Sequence, residues 1–382
     1  METVVVIVGA GPSGLATAAC LNLHSIPNII LERDDCHASL WRKRAYDRLN
    51  LHLAKEFCHL PHMPHPSSSP VYIPKKDFIN YIDQYVTHFK LSPLYRRSVE
   101  SAEYDEASGR WAVKARNLGS DEVEEYRGRF LVVASGENSK GFIPDVPGLA
   151  AFTGKIAHSS QYKSGSEYSG KAVLVVGSGN SGMEIAYDLC NHGAKTSIVI
   201  RSPLHVLTRD LVRLGMTLLR YSPCYVVDAL IVMLRKFIYG DLSEYGIRSP
   251  TKGPFYLKAS TGRSPVIDVG TVDKIKSAEI QVLPGLSSVR GSEAVFADGK
   301  AVAFDAIVFA TGYRSTAKSW LKDGDYFLDN NGMPRSCYPN HWKGEKGLYC
   351  AGLARRGLAG VSMDAQNIAD DIKKVLDAVT KE

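Results

Sequence analysis

Two stretches far apart in the chain repeat one pattern of apolar and small polar positions. Val4-Val5-Val6-Ile7-Val8 is an unbroken apolar run ending in Gly9-Ala10-Gly11-Pro12-Ser13-Gly14, and Leu15 to Leu21 follow with helical spacing. Ala172-Val173-Leu174-Val175-Val176 runs into Gly177-Ser178-Gly179-Asn180-Ser181-Gly182 and then Met183 to Leu189. Each reads as a buried strand, a glycine turn and a helix. Further strands are predicted at Asn28–Leu31, Trp111–Ala115 (alternating, so half-exposed), Phe130–Ala134, Ser197–Ile200, Phe304–Ala310 and Gly347–Gly352. Val361, Ala365, Ile368, Ile372, Val375, Leu376 and Val379 mark a helix at the end of the chain.

Strand, GxGxxG and helix in that order form a dinucleotide-binding turn. The first glycine permits the turn, the second admits a pyrophosphate, and the third lets the helix pack on the strand. The phosphates then sit at a helix N-terminus. Two copies predict two dinucleotides. After the first copy the next strand ends in Glu32, 23 residues past Gly9, where a carboxylate accepts from ribose hydroxyls and repels a 2′-phosphate. That selects FAD or NAD. After the second copy the corresponding strand ends in Arg201, 24 residues past Gly177, with Ser202 beside it. A guanidinium fork suits a 2′-phosphate, so the second site is predicted to take NADPH.

The fold class is therefore α/β, two Rossmann-like dinucleotide-binding domains. The NADPH domain, residues 164–309, is expected as an insertion in a first domain, for FAD or NAD, made of 1–163 and 310–382. Candidate residues of the first site, the FAD site if the ligand is a flavin, are Gly9, Gly11, Pro12, Ser13, Gly14, Glu32, Arg33, Leu40, Trp41, Gly136 and Gly352. Candidate NADPH-site residues are Gly177, Ser178, Gly179, Asn180, Ser181, Gly182, Arg201, Ser202, Thr311 and Gly312.

Composition narrows the class of protein without changing the fold. The chain has 382 residues, 45% of them hydrophobic and 23% charged, with room for two or three domains and a sizeable core. Its 46 basic and 40 acidic residues are interleaved, so a net charge of +6 is mild basicity and not a nucleic-acid footprint. Seven scattered cysteines include no CxxC pair, which excludes a zinc site and a disulfide framework and fits a reducing compartment. The histidines at 59, 62 and 65 lack acidic or thiol partners at ligand spacing, so no metal is expected. The segment His62–Pro70 is expected to be a mobile loop. The first apolar run ends at Gly9, leaving no room for a signal or transit peptide, and a cytoplasmic location is expected. Cys224–Leu234 is greasy but interrupted by Asp228 and too short to span a membrane; it is expected to be a buried or peripheral helix, with membrane-surface contact as the second reading.

A flavin and NADPH held by adjoining domains perform hydride transfer, and the remaining question is the electron acceptor. A disulfide reductase would need a redox CxxC, which is absent, so oxygen remains. Phe152-Thr153-Gly154-Lys155-Ile156-Ala157-His158-Ser159-Ser160-Gln161-Tyr162 fits FxGxxxHxxxY and resembles the signature of class B flavin monooxygenases. Further stretches are similar to the plant YUCCA branch: Tyr46-Asp47-Arg48-Leu49 through His52, Glu56-Phe57-Cys58, Ser135-Gly136-Glu137-Asn138, Thr261-Gly262-Arg263-Ser264-Pro265-Val266 and Phe309-Ala310-Thr311-Gly312-Tyr313.

The resemblance implies oxidative decarboxylation of indole-3-pyruvate to indole-3-acetic acid, the auxin, by a peroxyflavin formed from FAD, NADPH and O2. It also implies positioning roles for His158 and Tyr162 at the nicotinamide. Asn50 and His52 lie in the stretch that supplies an asparagine near the flavin edge in animal flavin monooxygenases; His52 falls at that position, a departure that leaves the stabilising group open. Arg355 or Arg356 could meet a substrate carboxylate. The expected partners are an aromatic 2-oxo acid and O2, with no nucleic acid and no transmembrane segment; the sequence does not fix the oligomeric state. An N- or S-oxygenating monooxygenase, and an NADPH oxidase without organic substrate, are the alternatives.

Overall fold

The structure, a computed structural model, describes residues 1–379. It divides into two compact units. The first comprises Met1–Lys43, Lys55–Lys140 and the chain from Tyr313 onward; the second comprises Arg44–Ala54 and Gly141–Gly312.

In the first unit β1 (Glu2–Val8) leads through the glycine turn into α1 (Pro12–Leu23) and on to β2 (Asn28–Leu31). After α2 (Lys75–His88) come β3 (Arg97–Asp105), β4 (Arg110–Asn117) and β5 (Val123–Val133). The sheet order is β2-β1-β5-β4-β3, with the strand Leu348–Cys350 also on β5. β5 changes partner along its length. Its early residues pair antiparallel with β4, while Phe130–Val133 run parallel to β1 and Leu131–Val133 parallel to Leu348–Cys350. Val5, Val6 and Ile7 are fully buried, as their unbroken run requires, because α1 and the helix Gly357–Val379 pack on each other over this sheet. Trp111, Val113 and Ala115 face inward and Lys114 outward, the alternation expected of β4. The 62–70 segment is tied down, in contrast to the mobility expected of it: Lys55 Nζ donates to the carbonyls of Pro66, Ser67 and Ser69 at 3.1, 2.8 and 2.6 Å.

The second unit holds β6 (Lys155–His158), β7 (Ala172–Val176), α3 (Asn180–Asn191) and β8 (Lys195–Val199). Helices α4 (Arg209–Leu218), α5 (Cys224–Tyr239), α6 (Pro254–Thr261) and α7 (Thr271–Lys276) follow. The chain then enters β9 (Ile280–Leu283), a three-stranded meander of β10 (Leu286–Arg290), β11 (Glu293–Phe296) and β12 (Ala301–Ala303), and β13 (Ala306–Phe309). The order β9-β8-β7-β13-β6 is parallel throughout. This is a second parallel-sheet α/β unit, with α3 packed on the sheet and the meander joined to it through Leu174, Val176, Ile307 and Phe309, so the α/β class with two dinucleotide-type folds stands.

The unit boundary differs from the one read in the sequence. Residues 141–163 belong with the second unit because β6 pairs with β13, Ala306 opposite Lys155 through Phe309 opposite His158. Residues 310–312 stay with it too, and so does the remote segment Arg44–Ala54. A parallel edge strand needs a long crossover before its partner arrives, so 141–158 gives no local sign of its sheet.

Candidate functional site

The two glycine turns are built alike. Gly9 and Gly177 have φ of +110° and +114°, and a Cβ on either would come within 2.5 Å of a backbone carbonyl oxygen, of Ala134 and Ala310 respectively. Gly14 and Gly182 sit so close to the carbonyls of Gly9 and Gly177 that no Cβ fits. Gly11 and Gly179, the middle glycines, have nothing within 4 Å of a Cβ position. Two glycines of each turn are thus demanded by the protein itself, and the third leaves open space at the start of a helix. No side chain caps α1 or α3, so first-turn N–H groups face that space. Both cradles fit a pyrophosphate.

Around the first turn, Glu32 is buried and accepts from Ala10 N–H (2.7 Å) and Asp34 N–H (2.9 Å). Burial raises its pKa, and those two hydrogen bonds pull the other way. One carboxylate therefore links the end of β2 to the turn. Ser13 is buried, and Gly352, at φ +75°, packs so closely on its hydroxyl that a Cβ would collide with it. Gly352 N–H donates to Asp364 Oδ2 (2.9 Å), whose other oxygen is 2.9 Å from His341 Nε2. Gly136 has φ +83°, and Ser139 Oγ donates to the carbonyls of Ser135 and Gly136. Ser135 Oγ is buried with no partner among the described residues, an orphaned atom next to the backbone that supports Gly9. A polar ligand atom there would satisfy it. Leu40 and Trp41 lie half-buried on a π-helical turn, Trp41 edge-on to Phe78 at 4.6 Å between ring centres; Arg33 is exposed.

Around the second turn, Arg201 is exposed past the end of β8 and makes no ion pair among the described residues. Its guanidinium is uncommitted. Asn180 turns its side chain inward, where Oδ1 accepts from Ile267 N–H (2.7 Å), so only its backbone serves the turn. Thr311 Oγ1 donates to the Phe142 carbonyl, and Gly312 at φ +85° offers its carbonyl to Phe142 N–H and His158 Nε2, both at 3.0 Å.

His158 and Tyr162 are anchors within this unit. The His158 ring lies flush on Gly141; its Nε2–H donates to Gly312 O and its Nδ1 accepts from Ser160 N–H (3.2 Å). Burial depresses its pKa, which keeps the ring neutral. Tyr162, 1% exposed, donates to Asp188 Oδ2 (2.6 Å), which also accepts from Gly165 N–H (2.8 Å). Glu184, one turn earlier on α3 and also buried, accepts from Tyr46 OH (2.5 Å) and lies 3.7 Å from His52 Nδ1. His52 Nδ1 has no hydrogen-bond partner among the described residues, and desolvation lowers the ring's pKa against the opposing pull of Glu184. Arg48 stacks over Tyr187 at 4.5 Å. The segment bearing Asn50 and His52 is thereby clasped to the helix that starts at the second glycine turn.

Glu184 and Asp188 were not singled out by sequence reasoning, and Tyr46 stood there only as part of the Tyr46–Leu49 stretch, with no site role. The signal was present: two acids four apart among Met183, Ile185, Ala186 and Leu189 on a core-facing stripe. Of the suggested carboxylate ligands, Arg356 stacks on Tyr338 at 3.5 Å and Arg355 is exposed with φ +56°. No cluster able to hold a metal occurs among the described residues.

Two glycine-turn α/β units, one with a buried acid and one with a free guanidinium at the strand end, define a flavin- and nicotinamide-type oxidoreductase. The chain belongs to the flavin-binding monooxygenase-like family, whose pattern it matches over residues 2–325. It is 56% identical over 377 residues to the probable indole-3-pyruvate monooxygenase YUCCA10 of Arabidopsis thaliana, covering 98% of each chain. It is 46% identical to the indole-3-pyruvate monooxygenase YUCCA6 of the same plant, covering 97% of this chain and 90% of that one. Among solved structures, a flavin-containing monooxygenase from Stenotrophomonas maltophilia superposes with a TM-score of 0.74 at 20% identity, over 98% of this chain and 99% of the other, a likeness of fold.

Two predictions follow from this geometry. Gly11→Ala places its methyl in open space, so the protein folds with an unchanged apoprotein melting temperature but purifies colourless; Gly14→Ala, with a methyl against the Gly9 carbonyl, loses folded protein altogether. Yellow, fully active Gly11→Ala protein would remove the first turn from the flavin site. Glu184→Ala strands the Tyr46 hydroxyl, costing about 1–3 kcal/mol and lowering the melting temperature by about 2–4 °C per kcal/mol. It also raises the KM for NADPH. Glu184→Gln, which keeps an acceptor for Tyr46, restores most of both, and equal values for the alanine variant and the wild type would show that the clasp holds nothing.

Proposed function

We propose that this protein oxidatively decarboxylates indole-3-pyruvate to indole-3-acetic acid with NADPH and O2, using FAD held by the first unit and NADPH held by the second. The observation that carries the reading is the difference between two otherwise matching cradles, a buried Glu32 at one and an uncommitted Arg201 at the other. The relatives named for this reaction, alike over nearly the whole chain, supply the substrate.

Bound flavin supplies hydride acceptance from reduced nicotinamide and activation of dioxygen. Residues of this chain bind, orient and exclude water. First-turn N–H groups of α1 and α3 hold the diphosphates, Glu32 meets the flavin nucleotide's ribose, and Arg201 with Ser202 meets the 2′-phosphate. His158, neutral, and Tyr162 act as positioning residues through Gly312 and Asp188. Asn50 and His52, brought to α3 by the Tyr46–Glu184 bond, are the candidates for contact with the reacting groups. One oxygen atom enters the acid product and the other leaves as water, while the substrate's C1–C2 bond breaks to release carbon dioxide. The free cysteines suit a reducing compartment such as the cytoplasm, and no helix among the described residues is long and apolar enough to cross a membrane.

The test is stoichiometry. With NADPH, O2 and indole-3-pyruvate, indole-3-acetic acid and carbon dioxide form in step with NADPH consumed and hydrogen peroxide stays low. Peroxide equal to NADPH whatever acid is added would make the protein an oxidase, and an N- or S-oxide formed from amine or sulfide in place of acid would assign it to the other branch of monooxygenases. Arg201→Ala raises the KM for NADPH about tenfold to a hundredfold, the loss of a charge-assisted hydrogen bond of roughly 1.5–3 kcal/mol. The KM for NADH hardly changes. An unchanged preference between the two coenzymes would take Arg201 out of the site.

A further inference from the structure

The helix α5 is apolar on the side that nothing covers. Its inward face carries Val227, Asp228, Ile231, Arg235 and Tyr239. Asp228, the charge that interrupts the run in the sequence, accepts from Phe255 N–H (2.8 Å) and Tyr256 N–H (3.0 Å) and so caps α6 from within. Arg235 is 4% exposed. With both charges turned inward, the outward stripe at helical spacing is Val226, Leu230, Met233 and Phe237, edged by Tyr225. Phe237 is 82% exposed, Tyr225 76%, Met233 48% and Val226 45%. Tyr221, just before the helix, is 81% exposed. Lys236 is the one charged side chain exposed on α5.

A helix that is apolar all round is ordinarily buried. Here no described residue covers the outer face. The surrounding charge says what does. Residues 209–263 hold nine Lys or Arg against four Asp or Glu, a net +5 out of the chain's +6. A second copy docking on this face would set that positive segment against its own like. An anionic surface with an apolar interior satisfies both features, since aromatic and aliphatic side chains enter the acyl boundary while Lys and Arg meet the headgroups.

We propose that α5 is a docking surface for an anionic phospholipid bilayer, lying in the plane of the interface and holding the enzyme at a membrane without spanning it. This is independent of the reaction assigned to the glycine-turn sites. The flavin-loaded protein, sedimented with vesicles of phosphatidylcholine containing phosphatidylserine, is carried down with them. It stays largely in solution with phosphatidylcholine alone, and added salt releases it. Met233→Ser/Phe237→Ser weakens binding at least tenfold with NADPH oxidation unchanged, whereas Leu118→Ser, at an exposed apolar residue in the turn after β4 of the first unit, has no effect on binding. Phe237→Trp shows a blue-shifted emission on anionic vesicles. The proposal is overturned if the protein ignores anionic vesicles, if the double variant binds like the wild type, or if the wild type is a dimer that the double variant turns into a monomer, which would make the face a contact between copies.

Discussion

The contact on which both units depend is the approach of the third glycine of each turn to the carbonyl of the first. Gly14 against Gly9, and Gly182 against Gly177, leave no space for a side chain, so each helix is pinned to the end of its strand. That pinning fixes the direction of the first-turn N–H groups. With no side-chain cap on α1 or α3, those donors remain for a ligand, while the middle glycine keeps the approach clear. Turn, helix and cradle are one structural decision made twice, and the following strand delivers a buried carboxylate to one and an exposed guanidinium to the other.

In the second unit the consequence travels further. Once α3 is fixed, Glu184 and Asp188 are fixed with it on the buried face. Burying carboxylates is unfavourable unless donors meet them. Tyr46 and Tyr162, with the Gly165 N–H, supply those donors. Asp47 N–H donates to the Lys163 carbonyl at 3.0 Å, closing the two tethered segments on each other. The helix that starts at one dinucleotide turn thereby also holds the segment carrying Asn50 and His52.

What was legible in the sequence is what is local. The strands at 4–8 and 172–176, both turns, Glu32 and Arg201 stand within about 30 residues of one another in each copy, and period and spacing reveal them. The membership of 141–158 and 44–54 in the second unit depends on pairings more than 100 residues apart, which no periodicity encodes. Histidine 158 shows a different limit. The motif marks its position, but only the structure shows both ring nitrogens taken by Gly312 and Ser160. Asp228 shows it again, since a charge in an apolar run reads as a break until it is seen to face inward and cap α6.

The placement of satisfied and unsatisfied polar atoms argues for where the chemistry resides. The side chains near the second turn that could exchange protons, His158, Tyr162 and Tyr46, are held by protein partners, and burial moves each away from ionisation: the imidazole down, the phenols up. Among the buried polar atoms left without a partner within the described residues are Ser135 Oγ beside the first turn and His52 Nδ1 on the clasped segment. Leaving a buried polar atom unpaired costs about 1–3 kcal/mol, so each is a place where a bound molecule has something to gain by arriving. A protein that commits these proton carriers to scaffolding and leaves an unpaired atom beside the first turn is organised to hold a reactive cofactor, and it leaves the bond-making to that cofactor.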